Sequence, residues 1–467
     1  MTINTGIPSS FIDESLIQQT LERTQGCDTA AARDVLAKAR EMCGLDAGDV
    51  AVLMQVQDQD LNAEMFEAAR LLKETIYGKR IVLFAPLYVS NICKNECVYC
   101  AFRAKNTELK RKALSQAEVA EEVRALIRQG HKRLLLVAGE GYPAEGFDYI
   151  LNCIDTVYAT KVDYGEIRRV NVNVAPLEVE QFKQLKDRGI GTYQLFQETY
   201  HRETYARVHL GGQKRNYDYR VTAFDRAMTA GINDVGLGLL FGLYDWKFEM
   251  LALMQHVKHL ETEFVGPHTV SVPRMEPALG SDLASRPAHA VSDEEFRRLV
   301  AILRLAVPYT GIIMSTRENA QTRRETLGLG VSQISAGSRT NPGGYTAEGE
   351  TNQTEQFQLG DHRSLDEVVR DLTEMGYVPS FCTACYRMGR TGRDFMDLAK
   401  PGLIKQHCSP NALSSFQEYL NDYASPATRA AGEKRIEAEL RPMTAAELKI
   451  SNSLLTRVRA NERDVCV

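Results

Sequence analysis

The sequence predicts an α/β protein whose central domain is a (β/α)8 barrel of the TIM type. Short β-rich runs begin near residue 80, amphipathic helical runs alternate with them, and about eight such pairs fit into roughly 300 residues. A doubly wound parallel sheet shares this alternation and is the less favoured alternative. The 467 residues, 44% of them hydrophobic and 25% charged, can form one large core with extensions.

Helical patterns come first along the chain, and strand candidates follow. Apolar residues recur at helical spacing, after Ser, Asp or Thr caps, in SLIQQTLERT, TAAARDVLAKAREM and NAEMFEAARLLKETIYGKR. The strand candidates are RIVLFAPLYVS, RLLLVAGE, IRRVNVNVAP, TYQLFQET, DVGLGLLFGL, HTVSVPR, GIIMSTR and VSQISAG. We therefore predict an N-terminal helical extension over 1–78, the barrel over 79–378, and a mostly helical C-terminal extension over 379–467.

Composition and charge argue against several classes of protein. The net charge of -5 gives no general attraction to nucleic acid or anionic lipid. A run of about eighteen apolar residues, which a membrane span needs, is absent, and the N-terminus lacks a basic segment followed by an apolar one. We expect an unexported, cytoplasmic protein that binds neither nucleic acid nor membrane.

Three cysteines lie close together after the first predicted strand. CKNECVYC places Cys93, Cys97 and Cys100 at C-x3-C-x2-C spacing. A structural zinc site normally uses four ligands in two pairs, so zinc completed by a distant residue is the less favoured alternative. Thiolates suit iron-sulfur clusters, and a 4Fe-4S cluster held by three cysteines keeps one iron open. The loop predicts such a cluster at the strand C-termini, where barrel enzymes carry their active sites.

A second group of cysteines follows the last barrel helix. Cys382 and Cys385 form C-x2-C, and Cys408 comes after twenty-two further residues. Zinc with His407 as a fourth ligand is the alternative to a cluster, but adjacent residues rarely bind one ion. The clustering favours metal ligation over a disulfide framework. We interpret the scattered cysteines as buried or incidental thiols: Cys27, Cys43, Cys153 and Cys466.

The first cysteine loop, with an aromatic residue before its last cysteine, resembles that of the radical S-adenosylmethionine (radical SAM) enzymes. In that family the open iron is chelated by the amino and carboxylate groups of S-adenosylmethionine, and one electron from the cluster gives a 5′-deoxyadenosyl radical. The resemblance implies a radical SAM barrel. Residues similar to the family's cofactor-binding elements are Tyr99 in the loop, Ala138, Gly139 and Glu140 as its GGE element, Glu198 for the ribose hydroxyls, and Arg215 for the methionyl carboxylate.

The C-x2-C-x22-C extension narrows the resemblance to the tyrosine lyases that mature FeFe-hydrogenase. The segments MSTRE, SAGSRTNPGGY, QETYHRETY and GPHTVSVPR are also similar to those enzymes. The tyrosine lyase of thiazole biosynthesis shares the barrel and the first motif but lacks the C-terminal cysteines. The extension therefore discriminates between the two kinds of lyase.

This resemblance implies a reaction in two halves. The deoxyadenosyl radical abstracts a hydrogen from the amino group of L-tyrosine, and cleavage of the Cα–Cβ bond gives p-cresol and dehydroglycine. At an auxiliary 4Fe-4S cluster held by the C-terminal cysteines, dehydroglycine becomes carbon monoxide and cyanide, which leave as an Fe(CO)2(CN)-cysteine synthon. That cluster carries an extra iron, bridged by a free L-cysteine and held by a histidine, which the motif matches to His268. The implied partners are an electron donor such as ferredoxin or flavodoxin and the other hydrogenase maturases.

Arg317 and Ser315, at the end of predicted strand seven, are candidates for binding the tyrosine carboxylate. An ion pair of Arg317 with Glu318 or another acid is the alternative. Two other functions remain open: a thiazole-type lyase that releases dehydroglycine, and an iron-sulfur or iron carrier without catalysis. The three barrel cysteines, with Glu198 and Arg215, favour an enzyme, because a carrier needs no S-adenosylmethionine pocket.

Overall fold

Eight parallel strands form a closed barrel in the computed structural model, which describes residues 11–347 and 353–467. In chain order the strands are β1 (Arg80–Ser90), β2 (Arg133–Ala138), β3 (Arg169–Asn173), β4 (Tyr193–Glu198), β5 (Val235–Leu239), β6 (Thr269–Ser271), β7 (Gly311–Met314) and β8 (Gln333–Ser335). The last strand pairs in parallel with the first, with Val82 opposite Gln333. The prediction of a barrel is confirmed, since a doubly wound sheet would leave these two strands unpaired.

Helices surround the barrel and form both extensions. Their bounds are α1 Glu14–Arg23, α2 Thr29–Ala39, α3 Ala47–Met54, α4 Gln59–Tyr77, α5 Gln116–Gln129, α6 Asp148–Ala159, α7 Val179–Asp187, α8 Arg202–Val208, α9 Tyr217–Val221, α10 Ala223–Thr229, α11 Trp246–Glu263, α12 Asp282–Ser285, α13 Asp293–Ala306, α14 Ala320–Leu327, α15 Leu365–Glu374, α16 Ala384–Arg387, α17 Arg393–Ala399, α18 Lys405–Asp422, α19 Pro426–Leu440 and α20 Ala445–Arg459. Within the described ranges, none of them is both long and apolar enough to cross a membrane.

The N-terminal helices are defined by local sequence and by packing on the barrel. Asp13, Asp28, Asp46 and Asp58 each cap one helix by accepting a backbone N–H in its first turn. Their apolar faces pack on two barrel helices, with α1 and α3 against α11 and α4 against α13. The extension thus covers one side of the barrel.

A ninth strand, β9 (Val378–Ser380), connects the barrel to the C-terminal extension. Val82 in β1 is the partner of both Gln333 and Ser380, so β9 lies on the opposite edge of β1 from β8. It pairs only with the first residues of β1, at the N-terminal end of the barrel strands. Because α16 to α20 follow β9 directly, the extension begins at the mouth opposite to the strand C-termini.

Candidate active site

A cavity opens at the C-terminal ends of the barrel strands. Its wall contains most of the residues predicted for the first half of the reaction: Cys93, Cys97, Tyr99, Cys100, Ala138, Gly139, Glu140, Glu198, Ser315 and Arg317. These residues come from the ends of β1, β2, β4 and β7 and from the loops that follow. The structure therefore brings together side chains that are more than two hundred residues apart in sequence.

Backbone pairing fixes the cysteine loop after β1. Glu96–Cys97 forms an antiparallel pair with His209–Gly211, and Val98 N–H donates to the Val208 carbonyl at 3.0 Å. The turn that follows β2 needs glycine at 139, because an added Cβ would lie 2.4 Å from the Ile92 carbonyl oxygen. The loop and the end of β2 are thus in direct backbone contact.

The three thiols of this loop all line the first cavity, and thiolates are the ligands that suit an iron-sulfur cluster. Among the described residues, no group of three His, Cys, Asp or Glu side chains converges closely enough to hold one ion. Asn95 N–H lies 3.5 Å from the Cys93 sulfur, and Gln356 Nε2 donates to the Cys100 sulfur at 3.8 Å. Burial raises the pKa of Cys93 to about 11, so a bound metal must displace the thiol proton.

Glu140 is held at the cavity by two donors. Asn95 Nδ2 donates to its carboxylate at 2.6 Å, and Arg220 donates to the other carboxylate oxygen at 2.9 Å. Burial raises the pKa of Glu140, but Arg220 and Lys214 more than offset this effect and lower it below its usual value. The carboxylate is therefore ionised and has a fixed orientation.

Glu198 has strained backbone geometry at the end of β4. Its φ is +73°, and the ladder between β4 and β5 shifts register between Phe196 and Glu198. Such a conformation costs about 1–3 kcal/mol in a residue with a side chain. It directs the carboxylate to Lys214, whose Nζ donates to it at 2.6 Å.

The structure does not place Arg215 at the cavity. Arg215 is exposed, whereas Lys214 beside it and Arg220 on α9 are buried and line the wall. The physical reason is a 3-10 turn over Gln213–Arg215, which directs neighbouring side chains to different sides. The cations that the structure offers to a bound carboxylate are thus Lys214 and Arg220.

Tyr99 packs into the wall through a buried hydrogen-bonded pair. The His209 Nδ1–H donates to the Tyr205 carbonyl oxygen, 2.9 Å away, so His209 Nε2 accepts from the Tyr99 hydroxyl at 2.8 Å. Burial, with Lys214 and Arg220, lowers the pKa of His209 well below its usual value. The histidine is therefore neutral and orients the tyrosine ring of the cysteine loop.

Arg317 is free to bind an anion. Its guanidinium stacks on Phe357 at 3.3 Å from the ring centre and has no carboxylate partner within the described parts of the chain. Glu318, the alternative partner, instead forms an ion pair with Arg274. Ser315 lines the same wall. Nearby Glu276 also lines the cavity, and burial together with the charge of Glu318 raises its pKa to about 6.

A second cavity lies at the N-terminal mouth of the barrel. Cys382, Cys385 and Cys408 line it together with His268 and Tyr386. Residues at the beginning of barrel strands form its floor: Arg80, Val82, Arg133, Gly311 and Gln333. His407, the alternative zinc ligand, does not line this cavity.

His268 reaches the second cavity because the residue immediately precedes β6. The Tyr386 hydroxyl lies 3.4 Å from His268 Nε2, and Asp234 lies 3.8 Å from Nδ1. Burial lowers the pKa of His268 although Asp234 raises it, so the ring is available as a neutral metal ligand. Because this position precedes strand six and is far from the strand C-termini, it brings the imidazole to the opposite mouth of the barrel.

The two cavities are lined by neighbouring residues of the same three strands, β1, β7 and β8. Alternate residues of the same strands line the second and first cavities respectively: Val82 and Phe84, Gly311 and Ile313, and Gln333 and Ser335. Residues two apart on a strand share a face and lie about 6.6 Å apart along it. The barrel lumen therefore leads from the first cavity toward the second.

Several residues of the site were not predicted from the sequence. Asn95, Lys214, Arg220, Glu276 and Phe357 all line the first cavity. The sequence carried a signal for Arg220, because helical spacing places it on the same buried face as Tyr217 and Val221. Asn95, Glu276 and Phe357 lie in loops and Lys214 lies in a three-residue 3-10 turn, where no periodicity indicates which side chain is buried.

Comparisons with known proteins agree with this geometry. The Radical SAM superfamily profile matches residues 87–256, and that of the Biotin and Thiamin Synthesis associated domain matches residues 271–378. The 2-iminoacetate synthase of Escherichia coli (strain K12) is 32% identical over 337 residues, which are 72% of this chain and 86% of that protein.

Two solved structures match nearly the whole chain. A crystal structure of HydG, described as a maturase of the [FeFe]-hydrogenase, is 49% identical with a TM-score of 0.95 and covers 98% of this chain and 100% of its own. The FeFe-hydrogenase maturase HydG from Carboxydothermus hydrogenoformans is 41% identical with a TM-score of 0.82, over 95% and 98% of the two chains. The chain therefore belongs to the radical SAM superfamily and, within it, to the HydG family of maturases.

Proposed function

We propose that this protein is a radical SAM tyrosine lyase that matures FeFe-hydrogenase. It cleaves the Cα–Cβ bond of L-tyrosine to p-cresol and dehydroglycine and then forms carbon monoxide and cyanide for an Fe(CO)2(CN)-cysteine synthon. The observation that carries this proposal is one barrel with a three-thiol cavity at each mouth, the first of which contains Arg317, an arginine without a carboxylate partner among the residues that the structure describes. The relatives named above support the same activity.

Cys93, Cys97 and Cys100 would hold the first 4Fe-4S cluster. When bound and reduced, this cluster with S-adenosylmethionine supplies the radical that starts the reaction. The protein's own residues position the cofactor and limit access of water. An electron donor such as ferredoxin or flavodoxin would supply the electron.

The polar residues around the first cavity suit the groups of S-adenosylmethionine. Glu140 is an ionised acceptor for the methionyl amino group, and Glu198 can accept from ribose hydroxyls. Lys214 and Arg220 are the cations for the methionyl carboxylate, in place of Arg215. Each of these cations already pairs with a glutamate, Lys214 with Glu198 and Arg220 with Glu140. Cofactor binding would add the methionyl amino and carboxylate groups to these two ion pairs and join them into one network of alternating charges.

Arg317 binds the carboxylate of tyrosine in this proposal, and Ser315 adds a hydroxyl. Stacking on Phe357 fixes the plane of the guanidinium, which leaves its edge for a bidentate pair. A substrate oriented in this way keeps its amino group inside the cavity, on the side of the cysteine loop. The carboxylate would travel with dehydroglycine after the bond breaks.

The second half of the reaction is assigned to the C-terminal cavity. Cys382, Cys385 and Cys408 would hold the auxiliary 4Fe-4S cluster, and His268 would bind the extra iron that a free L-cysteine bridges. Direct transfer of dehydroglycine through the lumen is supported by the strands β1, β7 and β8, whose neighbouring residues line both cavities. The other hydrogenase maturases are the expected partners.

Anaerobic turnover tests this proposal. Reconstituted protein is incubated with S-adenosylmethionine, dithionite and tyrosine, and p-cresol and 5′-deoxyadenosine are measured. We expect both products from the native chain and neither from Cys97→Ala, whose auxiliary cysteines are intact. Absence of both products from the native protein with a fully loaded first cluster would favour the carrier scaffold. Formation of p-cresol with glyoxylate but without carbon monoxide would favour the thiazole-type lyase.

A further inference from the structure

Exposed cations surround the cysteine loop on the outside of the barrel. They belong to two segments, residues 94–105, which include the loop, and residues 207–216, which pack against it. Lys94, Lys105 and Arg215 are all exposed, and none of them has an ion-pair partner within the described part of the chain. These three residues are called the basic patch below.

Backbone contacts hold the two segments together. The Lys94 carbonyl oxygen lies so close to Gly212 that a Cβ added there would be 2.7 Å from it. Ala104 N–H donates to the Asn95 carbonyl oxygen at 2.8 Å, and Arg215 N–H donates to the Gly212 carbonyl oxygen at 3.3 Å. The three cations therefore lie on one surface, although they are far apart in sequence.

Nearby acids leave the basic patch positive. The two segments contain a single acid, Glu96, which is buried. Glu96 accepts from Arg103 at 2.9 Å and from the Lys105 N–H at 2.8 Å. The exposed Glu203 next to the segments pairs with Arg207 at 3.7 Å. The patch thus has the opposite sign to the whole chain, which carries a net charge of -5.

An exposed leucine lies beside the basic patch. Leu210 is 55% exposed, and its neighbours His209 and Gly211 pair with Cys97 and Glu96 respectively. Adjacent strands lie about 4.8 Å apart, so a protein seated on Leu210 comes within about one strand of a cysteine of the first cluster. An apolar side chain beside cations offers a partner both contact area and electrostatic steering.

We propose that the basic patch, together with Leu210, is the docking surface for a small acidic one-electron carrier protein that reduces the first cluster. The inference rests on the proposed function, in which this cluster takes up one electron for each S-adenosylmethionine cleaved. The carrier loses that electron and the cluster gains it. Because the chain as a whole is negative, an acidic carrier is repelled by the overall charge and attracted at this surface.

Binding to the reconstituted holoenzyme tests the docking surface independently of turnover. The probes are a flavodoxin and a ferredoxin of acidic composition, and calorimetric titration measures their affinity at low and at high salt. The patch variant is the double charge reversal Lys105→Glu and Arg215→Glu. Its matched control, Lys434→Glu with Lys449→Glu, reverses two exposed lysines of α19 and α20 and so has the same net charge. Iron content is determined for each protein so that cluster loss is recognised.

We expect at least one carrier to bind the native protein, and the patch variant to bind that carrier at least about tenfold more weakly at low salt, with the control close to native. Raising the ionic strength from about 0.02 M to about 0.3 M should remove most of this difference, because salt screens exposed charges. Leu210→Ser should weaken binding about fivefold at both salt concentrations, because its contribution is apolar.

Turnover with two reductants provides a second measurement. At limiting reduced carrier, the patch variant should form p-cresol at least about tenfold more slowly than the native protein and the control. With dithionite, which is small and needs no docking surface, all of these proteins should form p-cresol at the same rate.

Native carrier affinity in the patch variant at low salt would overturn the docking surface. An equal loss in the control would also overturn it, since only the overall charge would then matter, and so would failure of both carriers to bind the native protein at low salt. A slower dithionite-driven reaction in the patch variant at full iron content would place its residues inside the site. These outcomes differ from failure of the proposed function, in which the native protein forms no p-cresol with dithionite.

Discussion

Arg317→Gln should remove the recognition of the substrate carboxylate. The bidentate pair between this guanidinium and the substrate carboxylate consists of two charge-assisted hydrogen bonds, which together contribute about 3 kcal/mol after exchange with water. No described protein carboxylate competes for this guanidinium, and Phe357 holds its plane at 3.3 Å. The loss corresponds to a KM for tyrosine that rises on the order of 100-fold.

Tyramine provides the chemical counterpart of this mutation, because it is tyrosine without the carboxylate. In equilibrium binding to protein loaded with S-adenosylmethionine, the native chain should prefer tyrosine to tyramine on the order of 100-fold. In Arg317→Gln the two ligands should bind within about threefold of each other. Arg317→Lys keeps the positive charge but loses the planar guanidinium that can form two parallel hydrogen bonds, so we expect an intermediate preference for tyrosine over tyramine. Affinity for S-adenosylmethionine should stay the same in all three proteins.

The reasoning is refuted if Arg317→Gln retains the native preference for tyrosine. In that case another cation of the cavity binds the carboxylate. A parallel loss of S-adenosylmethionine affinity would place Arg317 at the cofactor and not at the substrate.

Three further predictions concern the first cavity. Lys214→Met should weaken S-adenosylmethionine binding at least about tenfold in a calorimetric titration, whereas Arg215→Met should leave it unchanged; equal effects would restore Arg215 as a cofactor residue. The pKa of Glu276 is raised from 4.5 to about 6, so its charge destabilises the folded state above that pH. Glu276→Gln should therefore raise the free energy of unfolding by up to about 2 kcal/mol at pH 8 and by almost nothing at pH 4, as measured in urea; a gain that grows on acidification contradicts this sign. Gly139→Ala should displace the Ile92 carbonyl and reduce iron bound by the first cluster, and native iron content would show that the turn accommodates a Cβ.

The barrel was predictable because its strands are buried on both faces. Runs such as RLLLVAGE and DVGLGLLFGL are nearly continuous in apolar residues, and each is a strand in the structure. The count of strand and helix pairs favoured a closed barrel over a doubly wound sheet, and the pairing of β1 with β8 confirms the closure. Strand β9 was not predicted, because three residues with a central proline carry too little pattern.

The site residues were predictable from the sequence where metal ligation determines the spacing of cysteines along the chain, and were less predictable elsewhere. The cysteine spacings identified residues that line both cavities, since metal ligands must lie close together in sequence or space. Arg215 was expected at the cavity, but the turn that contains it exposes that side chain and buries Lys214. Glu276 and Arg133 reach their cavities through tertiary packing, which no short motif encodes.

The most direct test of the two-site account compares the native chain with the double variant Cys382→Ser and Cys385→Ser. Both proteins are reconstituted anaerobically and supplied with S-adenosylmethionine, reductant and tyrosine, and p-cresol and carbon monoxide are assayed in the same vessel. The account predicts that the native protein forms both products and that the variant forms p-cresol without carbon monoxide. Carbon monoxide from the variant at the native ratio to p-cresol would contradict it, because the C-terminal cavity would then not be the second reaction centre.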